Sequence, residues 1–465
     1  IRKTPAFGRV GAVTTVPVEM RPYKDAEGRL VSPAALALKK FNVPKIDEDA
    51  IGKLLVHHVA RQLITMEVKN YLGPWRILTD EEMYNGVKGF KFIHKSIDLT
   101  AGISLDLEKT IRELYPGEKP SRAHLFTQES VIAHRKNGAP LVPKPWFAAK
   151  VAECERAMLK IDTAIEWLKS HTSKMNLKKE RRKPGREPRI YDSLPVELLC
   201  VCRKYFAFYL ENAMRGCLES YIACGISPQN VNETTQLLNW ITYHAFCEGE
   251  DLDFGWIAGD CTNLDSTDRK FEEEHFSIHV SELFVKFGDA EVISSIPQSM
   301  VRGEPVLVPI YNMVCHITLM PIQLGNVVFL VLFGMRSGIF HTATIQCFIM
   351  KLNTKETVLE EYCHQNTGHS FDYCFANKPQ AALSAIEMAK TERLSFTGDD
   401  NVGRPHKELA KYLTMRTMQK WFARNGKIYT DAYKRSDIPD FYPRSEVTYL
   451  KRKIVREGFL WKMPL

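Results

Sequence analysis

Leu394-Ser395-Phe396-Thr397-Gly398-Asp399-Asp400-Asn401-Val402 is the stretch on which the reading of this chain turns. Apolar positions flank a Gly-Asp-Asp-Asn centre. Gly, Asn and Asp tolerate the positive φ of short hairpin turns, so the pattern predicts strand, tight turn, strand. Two adjacent carboxylates at a hairpin tip repel one another unless a cation sits there. Mg²⁺ is held in that way, by one or two carboxylates together with substrate phosphates and water. The tripeptide is short, so its weight depends on whether the rest of a metal site is present.

A second acidic cluster supplies it. Phe254-Gly255-Trp256-Ile257-Ala258-Gly259 is an apolar lead-in that ends at Asp260, followed by Cys261-Thr262-Asn263-Leu264-Asp265. The run predicts a buried strand from whose end Asp260 emerges. Asp260 and Asp399 are then placed to share two metal ions. Such ions, about 3.5–4 Å apart, clamp the attacking and leaving oxygens of an in-line phosphoryl displacement. Between the clusters lies Gly334-Met335-Arg336-Ser337-Gly338-Ile339-Phe340-His341-Thr342, a loop leading into the first turns of a helix at Thr342-Ala343-Thr344-Ile345-Gln346-Cys347.

This order resembles the viral RNA-dependent RNA polymerases of the picorna-like group. Asp260 and Asp265 fit that family's motif A, Ser337, Gly338 and Thr342 fit motif B, and Gly398, Asp399 and Asp400 fit motif C. Weaker likenesses extend the coverage to residues 90–455. Lys178-Lys179-Glu180-Arg181-Arg182-Lys183 with Arg186 and Arg189 looks like motif F, the basic lid over the incoming triphosphate. Ser96 to Gly102 resembles motif G beside the template entrance, with Thr100 and Gly102 as RNA contacts. Asp431-Ala432-Tyr433-Lys434 looks like motif D. Tyr449-Leu450-Lys451-Arg452 looks like motif E, the primer grip. Two departures stand out. Gln346 occupies a position where the family usually has Asn, and the chain stops at Leu465, where a helical thumb follows in the family.

The resemblance implies a right-hand polymerase of α+β class, with an antiparallel palm sheet, helices on one face, and most or all of the thumb absent. It assigns residues 1–245 and 286–310 to fingers, and 246–285 and 311–465 to palm. It implies that Asp260, Asp399 and Asp400 bind two Mg²⁺ or Mn²⁺ ions and that Lys434 is a general acid. Asp265, Thr342 and Gln346 would sense the ribose, and Ser337 and Gly338 would touch the template nucleotide and the entering sugar. Arg182, Lys183, Arg186 and Arg189 would hold the triphosphate, and Lys451 and Arg452 the primer backbone. Implied partners are single-stranded RNA template, nascent RNA, ribonucleoside triphosphates and other viral replication proteins, in replication complexes of the host cytoplasm.

Duller roles compete for each residue. Asp265 after a strand suits a helix N-cap, and a basic run is often a solvated face. Two rival functions also stand. A reverse transcriptase would exclude the ribose 2′-hydroxyl that Asp265 and Thr342 suit. An RNA-binding or assembly module would carry a degenerate centre.

Composition agrees with a folded globular protein. The chain has 465 residues, 45% of them hydrophobic and 25% charged, enough for a substantial core. A net charge of +8 favours a polyanionic partner, and seven of the twelve residues from Lys178 to Arg189 are Lys or Arg. The eleven cysteines include no C-x2-C pair, which points to reduced thiols. Cys363, His364, His369 and Cys374 match no zinc spacing and read as structural. The chain begins with Ile1-Arg2-Lys3, as a product cut from a polyprotein would, with no secretory signal. Its most apolar run, Val327 to Met335, is too short to cross a bilayer and reads as buried strand. Helices are expected around Pro33 to Lys40, Val151 to His171, from Pro195 onward, and over Thr342 to Leu352, Leu383 to Ala389 and Glu408 to Trp421.

Overall fold

Four short strands meet where the two acidic clusters lie. In the computed structural model, Ser395–Thr397, Asp400–Gly403, Ile257–Thr262 and Ile428–Asp431 form one sheet in that spatial order, every neighbouring pair antiparallel. The structure describes residues 16–17, 21–25, 27–41, 43, 45–85, 103–178, 181–182, 189–324, 327–331, 334, 341–431, 433–435 and 437–464. The described residues form a mixed helix and sheet molecule. Ile257, Ala258, Cys261, Phe396, Val402 and Tyr429 are buried in the main core, so the central strands are covered by packed helices. Thr342–Thr367 and Met415–Arg424 pack on the sheet, and Lys270–Phe287 packs between Thr342–Thr367 and Leu55–Glu67.

A second four-stranded sheet runs Val327–Phe329, Ile322–Leu324, Ser173–Leu177, Ile190–Ser193. Ile322–Leu324 lies parallel to Ser173–Leu177, and the other pairs are antiparallel. It has a small core of its own, in which Ala37 of the helix Pro33–Leu38 meets Met175, Ile190, Ile322 and Val331. The basic run is the connection between two of its strands, closed by a hydrogen bond from the Lys178 N–H to the Arg189 carbonyl at 2.7 Å. Arg181–Arg182 within that connection pairs with Val16–Pro17.

Several expected elements differ. Val151 to His171 is two helices, Pro145–Met158 and Ile161–Ser170. The Thr163 hydroxyl donates to the carbonyls of Ala157 and Lys160 at 2.8 and 3.2 Å, which satisfies the first helix's end locally. Glu408 to Trp421 breaks likewise. Thr414 is extended and its hydroxyl accepts from the Thr417 N–H at 3.1 Å, so a new helix starts at Met415. Pro195 is the N-cap of Val196–Arg215 and precedes its first turn. The helix after Thr342 continues to Thr367, carrying Asn353-Thr354-Lys355-Glu356-Thr357 fully buried. Val327 to Met335 is not a buried strand throughout. Val327–Phe329 is an edge strand, and Val328 and Leu330 are exposed. Among the described residues, no helix is long and apolar enough to cross a membrane.

Candidate active site

Asp400 sits directly opposite Asp260 across the two central strands, and Thr430 faces Asp260 from the other side. Residues paired across a sheet share a face, so the two carboxylates emerge together. Thr397 pairs with Asp400, which makes the turn two residues long, Gly398-Asp399, so that of the two carboxylates expected at the tip only Asp399 lies in the turn and Asp400 opens the strand. Asp399 is tied to the Asp260 strand through its carbonyl, which accepts the Cys261 N–H at 3.2 Å. Gly398 has φ +66°, and a β-carbon there would lie 3.2 Å from Gln346 Oε1. The turn therefore needs a residue that accepts positive φ and close approach. The Gly398 N–H also points at Cys347 Sγ at 3.2 Å, so the helix carrying Gln346 supports the acidic turn from beneath.

The electrostatics are those of crowded anions. Burial raises the Asp399 carboxyl above its ordinary pKa, the Asp265 charge adds to this, and Arg189 and Lys451 act the other way. Asp400 is pushed up to about 6 by burial and by the Asp399 charge, with Lys451 again opposing. Arg189 of the basic connection thus acts on Asp399, and Lys451 of the Leu450-Lys451 turn acts on both carboxylates. Repulsion of this kind, between hard oxygen ligands at a strand pair and a turn, fits a divalent cation. The three carboxylates are adjacent but not gathered: among the described residues no group of three or more His, Cys, Asp or Glu is assembled tightly enough to hold a metal. That includes Cys363 and Cys374, which are buried free thiols.

Lys434 pairs directly with the Asp260 carboxylate, and its ammonium stands 3.5 Å from Thr262 Oγ1. Its φ is +61°, an unusual backbone state for a long side chain. Asp431 organises that turn by accepting the N–H groups of Tyr433 and Arg435 at 3.1 and 2.9 Å. Burial works against the Asp431 charge, but hydrogen bonds from Arg435 and Tyr442 prevail and hold its pKa below the ordinary value. Its spacing is that of an Asx-type turn, a signal the sequence did contain.

Asp265 lies in the first turn of the short helix Leu264–Thr267, whose N-cap is Asn263. The capping role considered for it is therefore not the one it has. Its carboxylate Oδ2 receives Lys40 Nζ at 2.6 Å. Nothing in the sequence marks Lys40, which is 225 residues away. Asp268 is fully buried, and among the described residues neither carboxyl oxygen has a hydrogen-bond partner. Burial and the Glu272 charge raise its pKa well above the ordinary value.

Beneath this short helix runs a buried polar chain. Lys427 Nζ donates to Glu272 Oε2 at 2.6 Å and to the Thr267 carbonyl at 3.4 Å. Asn353 donates to Glu272 at 2.9 Å, and Asn425 to Asn353 at 2.7 Å and to Glu356 at 3.2 Å. Glu356 also meets His57 Nδ1 at 2.6 Å.

Thr342 opens the helix that carries Gln346. Gly334 lies against the Asp265–Ser266 backbone, where a β-carbon would come within 3.0 Å of the Asp265 carbonyl. Ser337, Gly338, Lys183, Arg186, Thr100 and Gly102 lie outside the described residues, and of Arg182 only the backbone is described. Thr448–Tyr449 and Arg452–Lys453 form a hairpin whose two turn residues, Leu450 and Lys451, have φ +53° and +60°, as a two-residue I′ turn requires. The Tyr449 hydroxyl meets Thr397 Oγ1, fixing this hairpin beside the acidic turn. Arg452 donates to the Met463 carbonyl at 3.0 Å.

No family model matches the chain, and no curated protein matches it. Among solved structures, the fold is similar to that of the "Sicinivirus 3Dpol RNA dependent RNA polymerase". The TM-score is 0.65 and the identity 17%, with 99% of this chain and 80% of that chain covered. The likeness is one of fold.

Proposed function

We propose that this chain is an RNA-directed RNA polymerase, adding ribonucleoside triphosphates to an RNA 3′ end on a single-stranded RNA template. The observation that carries this reading is the cross-strand pairing of Asp260 with Asp400 beside Asp399, in a chain with a polymerase-like fold. Residues 1–245 and 286–310 serve as fingers, and 246–285 and 311–465 as palm.

Asp260, Asp399 and Asp400 would hold two Mg²⁺ or Mn²⁺ ions, which supply charge neutralisation on the triphosphate and acidify the primer 3′-hydroxyl. The protein's own groups do the rest. Arg189, with Arg182, Lys183 and Arg186, orients the triphosphate, a task suited to the planar, bidentate guanidinium. Asp265 accepts a hydrogen bond from the ribose 2′-hydroxyl, the group that separates RNA from DNA, with Thr342 and Gln346 completing the network. Ser337 and Gly338 line the template nucleotide. Lys434, released from Asp260 as substrate binds, donates a proton to the departing pyrophosphate. Lys451 and Arg452 steady the primer backbone, with Arg452 also bonded to the Met463 carbonyl. Thr100 and Gly102 guide the template.

Incorporation of labelled ribonucleotide on a homopolymeric RNA template tests this. Template-matched incorporation is expected, abolished by Asp399→Ala with RNA binding retained. Equal activity in that variant, or preference for deoxynucleotides, would overturn the reading.

A further inference from the structure

The polymerase reading leaves one contact unused, the ion pair between Lys40 and Asp265. Lys40 Nζ lies 2.6 Å from Asp265 Oδ2, and the two side chains are only 15% and 14% exposed. A pair so screened from water is unlike the solvated surface pairs that contribute little. It also joins two parts of the molecule. Ser32 caps the helix Pro33–Leu38 and Pro33 begins it, and a single 3₁₀ turn, Lys39–Phe41, follows. Ala37, Leu38 and Phe41 pack into the small core of the sheet that carries the basic connection. The Lys40 ammonium lies 5.0 Å from the Phe41 ring centroid. The backbone of Lys40 therefore travels with that sheet, while its ammonium grips a carboxylate beside the acidic turn. Gly334 lies against the Asp265 carbonyl, so backbone and side chain of Asp265 meet different segments.

Resting on the polymerase reading, we infer that Lys40 is a positioning residue for sugar selection, which fixes the Asp265 carboxylate in the orientation that receives the ribose 2′-hydroxyl. An ammonium uses one acceptor direction of a carboxylate, which offers about four in all. The hydroxyl then meets an ionised acceptor already oriented, and hydrogen bonds to charged acceptors are the strong ones. A deoxynucleotide brings no hydroxyl and gains nothing from this arrangement. Lys40 acts through Asp265 and touches no reacting atom, so its removal changes the choice of sugar more than the chemistry.

The test compares kcat/KM for a ribonucleoside triphosphate and its 2′-deoxy counterpart on one RNA template. The proteins are the full chain, Lys40→Met, Lys40→Arg, Asp265→Asn and the Lys40→Met/Asp265→Asn double variant. Lys40→Met keeps the apolar stem and is expected to lose about tenfold on the ribonucleotide, with deoxynucleotide use unchanged. Lys40→Arg should recover part of the discrimination, and the double variant should discriminate no worse than Asp265→Asn alone. If Lys40→Met does not fold, Lys40→Gln carries the same comparison. Equal losses on both nucleotides, or an unaltered ratio, would overturn the role of Lys40 while leaving the polymerase reading standing. A full chain that incorporates neither nucleotide would overturn both.

Discussion

Asp400 and Asp260 are direct cross-strand partners in the central antiparallel pair of the acidic sheet, although 140 residues separate them in the chain. With Asp399 in the adjoining turn, three carboxylates lie adjacent at one sheet end, and the Asp399 charge repels that of Asp400.

That repulsion has a pH signature. Folded Asp400 keeps its proton up to about 6, against an ordinary value of 3.8. Between those limits the native state binds more protons than the unfolded one, so this group's contribution to stability falls as pH rises through the window. Asp400→Asn should therefore be more stable than the parent at neutral pH, by about 1–3 kcal/mol, with the gap closing towards about pH 4. Urea denaturation at several pH values measures it. A variant no more stable at neutral pH would count against the crowding.

Gly398 is held at φ +66° with Gln346 Oε1 close by. Gly398→Ala should lower stability by about 1–2 kcal/mol, the cost of a left-handed backbone for an L-residue. Denaturation midpoints of the two proteins provide the check. No loss would mean that the turn relaxes freely.

Lys434→Met should slow nucleotide incorporation by about 10²-fold or more if the ammonium acts as general acid. Lys434→Arg also keeps the charge, but a guanidinium does not give up its proton, so it should remain slow. Single-turnover rates over a pH series are the measurement. Full activity in Lys434→Arg would reduce the residue to a charge.

Lys427 is fully buried on Glu272. Removing one partner of such a pair leaves an uncompensated charge, so Lys427→Met should destabilise by about 3–5 kcal/mol. Adding Glu272→Gln should restore part of that loss. A neutral single variant would show that Glu272 is already satisfied by Asn353.

The carboxylates of this site were legible because charge at the end of an apolar run is rare and costly. Asp260 and the Gly398-Asp399 turn announced themselves locally, and so did the basic run ending at Arg189. Lys40 did not. A lysine closing a short helix looks solvated, and only tertiary packing carries it to Asp265. Asp431 was legible as a turn former, but its service to Lys434 was not. The apolar pattern from Thr342 fades at Asn353 to Thr357, which are polar, yet they are buried: Asn353 and Glu356 join the hydrogen-bonded chain with Glu272, Thr354 and Thr357 donate back to the helix carbonyls, and Lys355 meets Glu67. The split at Leu159 leaves no mark in the pattern, because the apolar spacing of Cys154, Met158, Ile161 and Ile165 continues across it. There the Thr163 hydroxyl, and not the pattern, decides where one helix stops.

The central claim is that Asp260 and Asp399 ligate common divalent ions. Mn²⁺ binding followed by electron paramagnetic resonance tests it without relying on turnover. The titration uses an RNA primer–template and a non-hydrolysable ribonucleoside triphosphate, with the full chain, Asp260→Asn and Asp399→Asn. The account predicts tight Mn²⁺ binding by the full chain and its loss in both variants. Tight binding that survives unchanged in either one would contradict it.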